Sequence, residues 1–286
     1  SIVVTIVKLI DIIIDTTKKL LKGLFFKVCQ IDLIGGNFVS SVSISGLYFK
    51  KRPGINIEIP AKAPNIKLTI EYDGKDFNGW QKQPNKLNIQ GEIERAIKEI
   101  TNEEIDLVAS GRTDAGVHSL GQVANFKTNS NIPIEKFPIA LNTKLKRSIR
   151  ILEAEEVDER FHSRYNCKKK TYRYIINNSI NGTAIYRNLE YNFSEKLDVE
   201  KMNEAAKFFI GEHDFKGFKA SGTSSKSSIR TIYEAKVYKE NERIIIELTG
   251  NGFLYNMVRI ISGTLIEVGL GRISPEDISL IIKSCD

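Results

Sequence analysis

Apolar and polar residues alternate from Ile66 to Tyr72, the period-two pattern of a strand with one buried face. Ile89, Ile93, Ile97 and Ile100 then recur at helical spacing and predict an amphipathic helix. Ile105–Ala109 and Gln122–Lys127 read as strands on either side of a glycine-punctuated loop, and Ile149–Val157 and Thr171–Asn177 read as strands again. Asp198 is placed to cap a helix that buries Met202, Ala205, Ala206 and Phe209. Ile229–Tyr238 and Arg243–Thr249 pair as a hairpin turning at Glu240–Asn241–Glu242. Tyr255–Val268 is a strongly apolar helix ending at Gly269, and Ser274-Pro275-Glu276-Asp277 opens a last helix.

Strands dominate, helices are few, and no strict strand–helix–strand alternation runs through the chain. That is an α+β fold with a largely antiparallel sheet. One set of strands and helix precedes Arg164 and another follows it, which predicts two similar halves, residues 65–165 and 166–286, around a shared sheet.

Residues 1–64 break the pattern. The apolar runs Ile2–Ile14 and Leu24–Ile34 are interrupted by charged residues, short of the ~18–20 apolar residues of a membrane span. Ile2–Ile14 has the apolar core of a secretory signal but lacks its basic lead-in. Lys51–Pro64 carries three prolines and reads as a linker. The segment is an extension of unknown role, open between an amphipathic surface helix and translated upstream sequence.

The composition, 41% apolar and 27% charged over 286 residues, excludes a disordered, collagenous or coiled-coil chain. The net charge of +7 is unevenly placed. Residues 111–175 hold 13 basic and 7 acidic side chains, and after Glu159 the run Arg160, Arg164, Lys168, Lys169, Lys170, Arg173 has no acid in it. That run is either a solvated strand with its flanking loop or a stripe that contacts phosphates. Cys29, Cys167 and Cys285 are too few and too scattered for a disulfide framework, which predicts a reducing, cytoplasmic setting. His118, His162 and His213 have no metal-ligand spacing, and no glycine-rich phosphate loop follows a strand. No cofactor and no metal are expected.

The densest chemistry lies in Ser110-Gly111-Arg112-Thr113-Asp114-Ala115-Gly116-Val117-His118, followed by Gly121-Gln122. Such a loop can hold a carboxylate at a sheet edge while glycines let a ligand approach the backbone. Arg112 supplies charge that favours an ionised Asp114 and binds phosphate. The bland alternative is a turn in which Asp114 caps Ala115–Val117.

Gly111–His118 with Gly121-Gln122-Val123 resembles the catalytic signature of the tRNA pseudouridine synthase A (TruA) family. Four further segments resemble the family in order: Ile70–Gly74 with Phe77–Gln83, Phe161–Arg164 with Lys170–Tyr174, Gly211–Phe215, and Phe253–Arg259. The family has nothing like residues 1–64. It also continues past its last helix into a final strand, so truncation at Asp286 is expected.

The resemblance implies the pseudouridine synthase fold, with helices on the outer faces of the sheet. It implies isomerisation of uridine to pseudouridine at positions 38–40 of the tRNA anticodon stem-loop, by a homodimer without cofactor. Asp114 matches the essential aspartate, Arg259 the arginine that pairs with it, and Tyr172 the active-site tyrosine. Leu254 falls in the pocket wall. Arg112, Lys168, Lys169, Lys170 and Arg173 are expected to bind RNA, with the Ser221–Lys226 loop. A non-catalytic RNA-binding homologue is the alternative, and a membrane-surface role led by residues 1–64 is a third; no membrane is expected for residues 65–286.

Overall fold

The structure, a computed structural model, describes residues 63–220 and 227–284 together with two short strands nearer the N-terminus, β1 (Ser43–Ile44) and β2 (Leu47–Tyr48), which pair antiparallel. The chain divides into two compact units, Ser1–Ala61 and Lys62–Asp286. The helix and signal readings of residues 2–34 and the Ser221–Lys226 loop lie outside the described residues.

Its first half is a four-stranded antiparallel sheet of order β4-β5-β3-β6: β3 (Asn65–Tyr72), β4 (Val108–Ala109), β5 (Ser119–Lys127) and β6 (Ile149–Val157). β3 is central, and its alternation puts Ile66, Leu68, Ile70 and Tyr72 all below 5% exposure. Each such side chain contributes about 1.5–3 kcal/mol by leaving water. They join Ile89, Ile93 and Ile97 of α1 (Ile89–Thr101), with Trp80, Phe126 and Phe137, in one buried cluster. Asn88 caps α1 by accepting from the Gly91 N–H at 2.8 Å, and left-handed Asn102 ends it. The helix's first two free N–H groups go to the Gly79 and Trp80 carbonyls. Thus α1 also fixes the loop before it.

The strand expected over Ile105–Ala109 shrinks to Val108–Ala109. At Leu107 the N–H is accepted by Glu94 Oε1 and the carbonyl accepts from Gln90 Nε2, so α1 side chains take bonds a neighbouring strand would have taken. An unforeseen helix, α2 (Phe137–Lys144), follows a 3-10 turn at Ile134–Lys136. Only Phe137 and Leu141 of α2 are buried, too little periodicity to betray it.

The second half is a five-stranded sheet of order β8-β7-β11-β10-β9: β7 (Lys170–Asn177), β8 (Tyr191–Asn192), β9 (Gly211–Asp214), β10 (Ile229–Glu240) and β11 (Arg243–Gly250). Only β7 with β8 is parallel. The β10–β11 hairpin closes on Asn241 and Glu242, with Asn241 at φ 54. Helices α3 (Val199–Lys207), α4 (Met257–Gly269) and α5 (Asp277–Ser284) complete this half. Asp198 caps α3 through the Lys201 N–H, as its position predicted. Ser274 and Asp277 cap each other reciprocally at the start of α5. A Cβ on Gly269 would stand 2.8 Å from Met202 Sδ, so glycine is what lets α4 approach α3 there. Each half thus has its own hydrogen-bonded sheet and its own buried core.

A polar device sits inside the first half. Asn125 on β5 donates to Asn65 Oδ1 (2.9 Å) and accepts the Ser163 N–H (2.8 Å). Asn65 donates in turn to the carbonyls of Asp158 and Phe161. Two strands thereby hold the turn that follows β6. Asn125→Ala leaves the Ser163 N–H and one Asn65 lone pair buried without partners, at about 1–3 kcal/mol each. Urea unfolding should show a loss of about 3 kcal/mol with unchanged m-value; a loss under about 0.5 kcal/mol would show that the pair does not hold the turn.

Candidate active site

Asp114 lies on the loop that links β4 to β5, and nearly every polar group around it is tied down. The Ser110 N–H bonds the Val123 carbonyl at 2.8 Å. Gln122 reaches back to accept from Ser110 Oγ (2.6 Å) and to donate to the Gly111 carbonyl (2.7 Å). Thr113 is gripped twice, by Tyr72 Oη on its hydroxyl (2.8 Å) and by the Trp80 N–H on its carbonyl (3.0 Å). The Val117 N–H closes a turn on the Asp114 carbonyl (3.2 Å), and Gly116, at φ 77, donates to the Phe77 carbonyl. The 73–80 segment packs so closely that a Cβ on Gly79 would stand 2.5 Å from the Thr113 oxygen and one on Gly74 1.9 Å from the Val117 oxygen. Gly79 is also at φ 81, where other residues are strained.

The second half meets this loop from the other side. Lys170, the first residue of β7, donates from Nζ to the Ser110 carbonyl at 2.7 Å and lies against Gly111. His118 spans the halves as well, with Nδ1 3.0 Å from Asp73 Oδ1 and Nε2 3.0 Å from the Asn188 carbonyl oxygen. Alternation along β7 puts Lys170, Tyr172 and Tyr174 on one face and Arg173 on the other.

The loop's own turn is therefore made by backbone groups, and the Asp114 carboxylate caps nothing. It has no hydrogen bond or ion pair among the described residues. It is half-buried, and burial pushes it above the usual carboxylate range while the Arg259 charge pulls part of that back. Tyr172 feels Asp114: its phenol is raised first by burial and then by that negative charge. Its ring meets Phe253 edge-on, with centroids 5.0 Å apart. Tyr72 is pushed up to about 12, mainly by burial, with Thr113's hydrogen bond opposing and Tyr172 adding to the rise. Tyr172 links the other two electrostatically, feeling Asp114 and raising Tyr72.

Arg259 departs from the expected buried ion pair. It is exposed and makes no ion pair with Asp114 within 4.0 Å. Asn256, at φ 57, delays the start of α4 to Met257. Met257 and Ile261 then fill the buried face, and Arg259, half a turn round, faces outward. Its charge still reaches Asp114 and Tyr174. Leu254 is 5% exposed, its carbonyl accepting the Met257 N–H.

The basic residues part company. Arg112, Lys168 and Lys169 are exposed. Arg173 is engaged instead with Glu247, its register partner on β11, at 2.8 Å through Nη2. Lys170 is turned inward onto Ser110, and burial with the nearby charges of Arg164 and Arg230 lowers its pKa. Tyr72 and Gln122, which brace the loop, had no role assigned from sequence. Both lie in the resembling segments, and the buried parity of Tyr72 on β3 was the available signal.

A half-buried carboxylate on a braced glycine loop, under the charge of a guanidinium and itself acting on a buried phenol, belongs to a site built for proton and nucleophilic chemistry. The family model for tRNA pseudouridine synthase matches residues 68–166 and 205–286, and the chain belongs to that family. It is 54% identical over 222 residues to tRNA pseudouridine synthase A of Caldicellulosiruptor saccharolyticus, covering 78% of this chain and 91% of that one. It is 53% identical over 220 residues to the protein of the same name from Acetivibrio thermocellus (77% and 90%). It is 54% identical over 226 residues to tRNA pseudouridine synthase A 2 of Clostridium tetani (78% and 91%). Among the described residues no helix is long and apolar enough to cross a membrane.

The raised pKa of Asp114 has a consequence for stability. Because its folded value lies above its unfolded one, ionised Asp114 weakens the fold at neutral pH, and that penalty fades as pH falls through the folded value. Asp114→Asn should raise Tm at pH 7, and the gain should vanish toward the ordinary carboxylate range. A variant that melts below the parent at pH 7 would contradict the sign.

Proposed function

We propose that the protein isomerises uridine to pseudouridine in the anticodon stem-loop of tRNA, at positions 38–40, as a cytoplasmic homodimer. The observation that carries the reading is the carboxylate of Asp114, held on a fixed backbone without a bond among the described residues, which feels the charge of Arg259 and acts on the phenol of Tyr172. The reaction breaks the C–N glycosidic bond, turns the base over and forms a C–C bond, so no electrons are gained or lost overall. Asp114 starts it with its carboxylate, by attack at C1′ or at the base, and covalent catalysis of this kind divides one hard step into two. Burial disfavours the ionised form, and Arg259 supplies the opposing charge.

Tyr172 offers a ring face to the extruded base, and its raised pKa keeps the hydroxyl protonated at neutral pH, so it donates a hydrogen bond or a proton. Leu254 forms part of the apolar wall. Extruding the target from the stem costs a few kcal/mol, which phosphate contacts from Arg112, Lys168 and Lys169 help to offset. Arg173, occupied by Glu247, adds less than its sequence position promised.

Chemical mapping of pseudouridine in a tRNA transcript incubated with the full chain tests the reading. The wild type should form it; Asp114→Asn should bind the transcript equally and form none. Turnover by Asp114→Asn would remove Asp114 from the mechanism, and binding without product by the wild type would leave a non-catalytic RNA binder.

Lys170 has a positioning role, holding the Ser110 carbonyl and through it the loop that carries Asp114. A displacement of about 1 Å at a reacting group can cost about a hundredfold in rate. Lys170→Met should therefore lower kcat by about that factor, while leaving KM and the salt dependence of tRNA binding unchanged. A flatter salt dependence at unchanged kcat would make it a phosphate contact instead.

A further inference from the structure

Between β6 and β7 the chain makes a turn that is bonded more densely than a connection requires. The Asn166 side chain accepts from the His162 N–H (2.7 Å), and the His162 carbonyl accepts from the N–H groups of Tyr165 (3.0 Å) and Asn166 (2.9 Å). The imidazole Nδ1 accepts from the N–H groups of Arg164 (3.2 Å) and Tyr165 (3.4 Å). From beneath, Asn125 and Asn65 hold Ser163 and the Phe161 carbonyl. Upon this base the ring of Tyr165 lies on that of His162, centroids 4.2 Å apart and planes 31° from parallel. Yet Tyr165 is 78% exposed, so the ring adds little to the core.

We infer that Tyr165, backed by His162, is a stacking site for an unpaired nucleobase of the RNA, separate from the base that reacts; this rests on the RNA reading above. Arg160, Arg164, Lys168 and Lys169 are exposed around the same turn. They draw in a polyanion, and the aromatic face then takes a base of any sequence. An apolar protein partner would want a contiguous apolar patch, and here the neighbours are cations. Because the ring already rests on His162, above a turn held by backbone bonds, less conformational freedom is lost on stacking. The turn hangs from Asn65 at one end of β3, whereas Tyr72, at the other end, holds the Asp114 loop. Arg164, beside Tyr165, bears on Lys170, whose Nζ holds Ser110 of the Asp114 loop, so the platform serves a base on the same stretch of RNA as the one that reacts.

Binding of an unmodified tRNA transcript to the full chain, followed by fluorescence anisotropy across salt concentrations, separates stacking from charge. Tyr165→Ala should weaken binding about tenfold at every salt concentration, with the slope of log Kd against log salt unchanged. Tyr165→Phe and Tyr165→Trp keep a ring and should bind as tightly as the parent. Lys168→Ala with Lys169→Ala should flatten the slope by about one per lysine. The inference falls if Tyr165→Ala binds within about twofold of the parent, or if Phe and Trp at 165 bind no better than Leu. The Phe, Trp and Leu comparison decides the matter even where alanine disturbs the turn. Pseudouridine formation by a wild type whose Tyr165→Ala variant binds normally overturns this inference alone; a wild type that does not bind the transcript overturns the RNA reading with it.

Discussion

The site depends on one constraint: a reactive carboxylate must be held still without being hydrogen-bonded. An aspartate that caps its own turn spends its oxygens on backbone N–H groups, and those bonds favour the resting carboxylate. Here the neighbouring residues do the holding instead. Gln122, Tyr72, Trp80 and Lys170 bond Ser110, Gly111 and Thr113, and the turn after Asp114 closes on its carbonyl. Both oxygens of the side chain are left free for a ligand. Gly74 and Gly79 are part of the same constraint, since any Cβ there would push the bracing segment off the loop.

The charge balance follows from that arrangement. With no donor among the described residues, Asp114 carries the cost of half-burial, and the compensation it feels among them comes from Arg259 through space. Because Arg259 is exposed, water weakens its pull. A bound RNA that excludes this water strengthens the same interaction without moving either group. A buried contact pair would have fixed the carboxylate's charge permanently and occupied its oxygens. The exposed cation leaves the carboxylate poised and lets occupancy of the site decide its ionisation.

Much of the fold was legible because its elements obey simple periods. The alternation of β3, the strand at β6, the isoleucine spacing of α1, the caps at Asp198 and Ser274 and the hairpin at Asn241 all appear as read. Helix α2 was hidden because two buried residues make no pattern, and the strand at 105–107 was lost to side-chain bonds from α1 that local sequence does not encode. In the site, Asp114 was conspicuous only through its resemblance to a family; its local pattern fits a turn equally well. Lys170 and Arg173 looked alike as members of a basic run, yet strand parity sends one onto the loop and the other to Glu247. Arg259 lies inside the helix that was read, but the contact pair with Asp114 came only from the resemblance, and the helical period of Met257, Ile261 and Leu265 turns Arg259 outward.

The two halves carry unequal duties. The first supplies the rigid frame: β3 and β5 hold the Asp114 loop at one end through Tyr72 and Gln122, and the Tyr165 turn at the other through Asn65 and Asn125. The second supplies Tyr172 and Arg259, and Lys170 as the strut between the sheets. A frame of paired strands changes length very little, so the position of the Asp114 loop is set by residue count along β3 and β5. For a substrate that is itself a stiff folded RNA, such a fixed frame selects by shape: only a nucleotide that can be brought to the held carboxylate can react. Flexible loops could reach the same groups but would lose that discrimination, which is why the polar bonds cluster at the two ends of the same strand pair.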